Sequence, residues 1–186
     1  WHSGLAHLLS IGGSLVAITQ DWPAQRGIHS LAHWLGAAIH ILAILLGAFS
    51  ISLLAGRRAA LLFVGLFFFN AAIAWDFAFS RLDHEAVLQF FFLFHLLGLV
   101  GLSEQKGTHR TRWALIAGVS AGFCWWISAT VMSALSIPIT LGLTLECYRQ
   151  RNVSGSEMAK AITTWGGSAA VAICLLGFFD GSIQLS

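Results

Sequence analysis

Charge is what this 186-residue sequence has least of: Lys and Arg number 10, Asp and Glu 8, a tenth of the chain. Soluble domains carry roughly 25%, so a water-facing globule is excluded. The formal net charge of +2 is too small to hold a nucleic-acid backbone, and no nucleic-acid partner is expected. Cysteine occurs 3 times, as Cys124, Cys147 and Cys174. They are far apart, with no CxxC or zinc-finger spacing, which excludes a disulfide framework. Proline occurs twice, at Pro23 and Pro138, and marks two places where a helix is expected to start or stop.

Apolar residues fill the space that charge leaves: 57% of the chain is hydrophobic, with a mean hydropathy of +0.78. Several runs reach or approach the roughly 20 residues that cross about 30 Å of hydrocarbon. One secretory h-region cannot account for several such runs. The expected fold is an all-α, polytopic bundle in the lipid bilayer, a single domain over residues 1–186. Spans are predicted at 1–18, 28–55, 59–80, 84–103, about 113–132, 137–149 and 159–179. The break at Ser133–Pro138 rests on the preference of a residue before proline for extended backbone.

Seven spans sort the cations. Arg57, Arg58, Lys106, Arg110, Arg112, Arg149, Arg151 and Lys160 fall on one side, and only Arg26 and Arg81 on the other. The positive-inside rule then puts the N-terminus in the cytoplasm and the C-terminus outside. Trp22, Trp75 and Trp113 fall near the predicted interfaces, as an aromatic belt requires.

Two of the spans carry histidines at a matched spacing. On a helix turning about 100° per residue, His29, His33 and His40 lie within roughly 40° of one another, with Gly36 and Gly47 on the same stripe. The span at 84–103 repeats the i, i+11 spacing with His84 and His95, about 16 Å along the axis. Seven-span topology makes these two helices parallel, which would set His29 or His33 opposite His84 and His40 opposite His95. Paired imidazoles at two depths are the ligand set of a di-haem membrane arm. Gly36 and Gly98 are expected to give the macrocycle room. The plainer alternative is that His2, His29, His84 and His109 sit in the headgroup region, while His40 and His95, at depth, need a partner. A hydrogen bond to a neighbouring helix would serve as well as iron.

His33-Trp34-Leu35-Gly36-Ala37 and the apolar run ending at Gly47 resemble the first haem helix of bacterial cytochrome b561-type and hydrogenase cytochrome b subunits. The likeness covers this one helix. It implies haem b, with His33 as a ligand, quinone and partner subunits, and a bacterial inner membrane.

A second constellation gathers at the outer face, where Asp21, Asp83 and Glu85 join His29, His33, Asp76 and His84. The last four form a mixed His/carboxylate set suited to zinc or another divalent ion. Seven-span zinc amidases of the alkaline ceramidase type use such a mixture but need a His-x-x-x-His pair in the last span. Residues 159–186 hold no histidine. Gly118-Val119-Ser120-Ala121-Gly122 matches G-x-S-x-G, yet a nucleophile elbow needs a strand-to-helix turn. Inside an apolar helix, small residues at this spacing are packing positions. Three classes stay open at this point: a haem- and quinone-linked redox subunit, a metal-using membrane enzyme or transporter, and a non-catalytic accessory subunit.

Overall fold

The computed structural model describes residues 3–69 and 84–179, and these are helical almost throughout. The helices are α1 (Ser3–Thr19), α2 (Ala24–Ala55), α3 (Arg57–Phe69), α4 (His84–Glu104), α5 (Gly107–Ile127) and α6 (Ala129–Phe179). Three stretches are long and apolar enough to cross a membrane: Ala24–Ala55, Glu85–Glu104 and Gly155–Phe178. Leu9–Thr19 and Ala129–Leu143 are apolar but shorter. Contacts divide the chain into two compact units, Trp1–Phe90 and Phe91–Ser186.

In the first unit, α1 and α2 meet through small residues. A side chain at Gly27 would strike the Gly13 carbonyl and the Ala17 methyl, so the backbones come as close as their carbonyls allow. Pro23, with its φ held at −58°, precedes the first turn of α2. At the other end of α2, Gly56 has φ +86° while its N–H bonds Ser52 O. A left-handed residue there stops the helix and turns the chain into α3, which favours glycine.

The second unit is built on α5. Its buried residues include Ala114, Ala117, Gly118, Ser120, Ala121, Gly122 and Cys124, so the G-x-S-x-G stretch is a packing surface. Gly98 of α4 lies against Ala117, and Gly101 against the Trp113 ring. Gly118 lies against Trp165 O and Ser168 of α6, and Gly122 against Ala172. Residue numbers rise together along α5 and this part of α6, so the two run parallel.

That parallel run has a topological consequence. Helix α5 ends at Ile127 and α6 begins at Ala129, so the first part of α6 leaves the far end of α5 and must travel back before running alongside it. Leu143 and Trp165 pack on the same buried cluster of Leu102, Ala114, Met158 and Ala161. On a straight helix they would stand about 33 Å apart. The chain therefore reverses between Leu143 and Met158, within a segment that is helical in backbone from Ala129 to Phe179. A tie at the same end holds the turn: Gly107 N–H donates to Glu157 Oε2 at 3.4 Å, and the Arg110 guanidinium lies 3.9 Å from the same oxygen.

The expected break at 133–138 is thus misplaced. Ser128, with φ −151° and ψ 85°, interrupts the chain instead, and Pro138 sits inside the helix. Proline removes one hydrogen bond, which a helix packed on a neighbour tolerates. The first corner of this part of the chain thus lies upstream of the expected one.

Gly118→Ala should cost about 1–3 kcal/mol, because its methyl meets Trp165 O and Ser168. Gly166→Ala, whose methyl would meet nothing, should be neutral or stabilise by about 0.5–1 kcal/mol. Thermal unfolding of the two variants in detergent checks the pair.

Candidate functional site

Among the described residues, the most buried polar side chain is His95, with 0% exposure. It falls near the middle of the apolar stretch Glu85–Glu104. Its Nδ1 is 2.9 Å from the Ala117 carbonyl oxygen. A carbonyl only accepts, so Nδ1 carries the hydrogen and the ring is a neutral tautomer with a lone pair on Nε2. Nε2 is buried with no hydrogen-bond partner. Trp165 lies almost parallel to the imidazole, with centroids 6.3 Å apart and planes at 22°, and Phe92 approaches at 6.3 Å. The Trp165 indole N–H is likewise buried without a partner.

Beside this centre, α4 and the first part of α6 enclose an apolar groove of about 460 Å³. Phe92, Leu96, Leu99 and Ser103 line one wall, and Leu135, Pro138, Gly142 and Glu146 the other. The size suits a small-molecule site between helices. At Glu146 the groove reaches a surface ion pair, Arg149 Nε to Glu146 Oε2 at 3.0 Å. Phe92 belongs both to the groove wall and to the ring contacts of His95.

The α2 histidines lie in the first unit at the border of the buried face formed by Gly36, Ala43, Gly47 and Ser50. His29 and His33 are exposed and His40 is half-buried. His33 contacts the adjoining Trp34 ring edge-on, and His40 contacts Phe67 of α3 with centroids 5.4 Å apart. His40 and His95 each find ring contacts within their own unit. For the outer metal set, Asp76 and the side chain of His84 lie outside the described residues, as do Asp83 and His2. Among the described residues, no three His, Cys, Asp or Glu side chains gather to hold a metal ion.

Haem b asks for an imidazole with a free nitrogen, which His95 offers, and for a slot that admits the porphyrin. That slot is absent at His95. The side chain is fully enclosed, and Gly98, expected to make room, is occupied by Ala117, whose backbone N would stand 2.7 Å from an added methyl. The unit's other histidine, His109, is exposed near the start of α5. His29, His33 and His40 share one face of one helix and cannot bracket an iron between them. A porphyrin does not fit His95 in this packing.

No family model, no curated protein and no solved structure matches the chain. The site therefore has to be read from its own geometry.

Of the residues around His95, the sequence reading passed over Phe92, Ala117 and Trp165. Phe92 was findable, three positions before His95 on the same helix. Trp165 lies inside the apolar run 159–179, where nothing local singles it out. Because its indole N–H has no partner, Trp165→Phe should lose only the packing of the part of the ring removed, about 1 kcal/mol in thermal unfolding in detergent. A loss above about 3 kcal/mol exceeds that packing and would show that the N–H is bonded.

Proposed function

We propose that this chain is a multi-pass subunit of the bacterial inner membrane that binds a quinone-class carrier for a larger electron-transfer assembly. The observation that carries the reading is His95: Nδ1 is fixed by Ala117 O, so Nε2 is offered as an acceptor at mid-span that no group of the chain satisfies. In hydrocarbon, such a group is costly unless it is used. A hydroquinone is an apolar, bilayer-soluble molecule whose O–H donates one hydrogen bond, and it suits a neutral acceptor between aromatic rings. An oxidised quinone has no O–H, so His95 favours the reduced form. The chain holds the carrier, and a partner subunit exchanges electrons with it.

The proposed topology has seven spans with the N-terminus cytoplasmic. Its support is the charge bias, together with the Glu157 contacts to Gly107 and Arg110, which bring the basic stretches around Lys106 and Lys160 to one end of the second unit. A reporter fused after Leu185 should read outside, and one inserted after Ser154 should read cytoplasmic. Identical readings at both points would overturn the topology.

The full chain, purified in detergent from quinone-containing membranes, should yield quinone on solvent extraction at a ratio near one per chain. A reduced-minus-oxidised spectrum should show no b-type α-band arising from His95, so any such band should survive His95→Leu. Quinone no higher than in an unrelated membrane protein prepared alongside would remove the reading.

A further inference from the structure

Resting on the quinone reading above, we infer that the groove between α4 and the first part of α6 is the tail channel of the site, with Phe92 as the door between it and His95. Three observations converge on this. The acceptor nitrogen is sealed, the groove is open and mostly apolar, and Phe92 is shared by both. Rotation of that one side chain joins the groove to the imidazole. The space its ring leaves is that of a six-membered carbon ring, which a hydroquinone head fills. The head hydroxyl then donates to His95 Nε2 while the tail lies along Leu96, Leu99 and Gly142.

Depth selects this occupant over a phospholipid. Ser103 and Glu146 mark the end of the groove next to the surface Arg149 pair. His95 is eight residues from Ser103, about 12 Å deeper along α4. A phospholipid head stays in the polar layer outside the hydrocarbon, whereas the head of a long-tailed neutral carrier reaches mid-membrane. Gly142 supplies the probe of the channel, since a methyl added there meets no protein atom within 4 Å. It can be enlarged without disturbing the packing.

The test is calorimetric titration of the full chain in detergent with decyl-hydroquinone and with its dimethyl ether, which lacks the O–H. The hydroquinone should bind about tenfold more tightly than the ether, the worth of one buried hydrogen bond. His95→Leu should abolish that preference and leave ether affinity in place. Gly142→Leu should weaken both compounds about tenfold or more while thermal stability is retained. Phe92→Ala should raise the association rate severalfold, with the preference for hydroquinone kept.

Equal binding of the two compounds by the unsubstituted chain overturns the His95 contact. Unchanged affinity in Gly142→Leu overturns the channel, and an unchanged rate in Phe92→Ala overturns the door. Quinone that co-purifies while these variants are silent leaves the function standing and removes only this site. Absence of both co-purified quinone and binding removes the two together.

Discussion

Ala117 is the point on which the second unit closes. Its methyl and backbone meet Gly98 of α4, its carbonyl receives the His95 N–H, and the next residue lies against Trp165 of α6. Between helices in lipid there is little hydrophobic drive to associate, so close backbone approach and interhelical hydrogen bonds do the holding. Here both act at one turn of one helix. The contact that holds α4 on α5 is also the contact that sets the imidazole tautomer, so the chemistry of Nε2 follows from the packing.

The reversal inside α6 follows from the same economy. A helix of 51 residues would be about 76 Å long if straight, more than twice the hydrocarbon thickness. The polar stretch around Glu146, Arg149 and Glu157 stands between two apolar ones. Folding back there lets both apolar arms lie beside α4 and α5, while Glu157 stays at the end of the bundle near Arg110. The groove beside α4 results from this return. It lies between an arm that carries Pro138 and Gly142 and a helix whose largest groove-facing residue is Phe92.

Much of the architecture was legible in residue pattern. Apolar runs located the long helices, and small residues at 118–122 marked a packing face. His95 stood out because an ionisable group at depth needs a reason. The corner at Ser128 was not legible, since nothing local distinguishes it from the stronger proline signal ten residues on. Gly98 was misread for a physical reason: a glycine on a helix face gives room, but sequence does not say whether a cofactor or the next backbone takes it. The partners of His95 lie on helices far along the chain, and no periodicity within α4 points to them.

Two buried nitrogens without a hydrogen-bond partner lie in the second unit, on His95 and Trp165, whose ring centroids stand 6.3 Å apart. Each buried unsatisfied group costs about 1–3 kcal/mol, and an apolar replacement of similar shape would avoid that cost. Leucine at position 95 would pack on Ala117 without needing a partner, and phenylalanine at 165 would keep the ring. A fold optimised only for association of α4, α5 and α6 would carry those residues. Departures of this kind, where local physics is overruled in an otherwise consistent core, are where functional groups reside. The indole can only donate, and the imidazole, with Nδ1 committed, can only accept at Nε2. A hydroxyl can satisfy the imidazole by donating and can also accept from an indole, whereas a metal ion serves only the imidazole. The pairing of an unmet donor with an unmet acceptor is therefore the chemical argument for a hydroxylic guest at this centre.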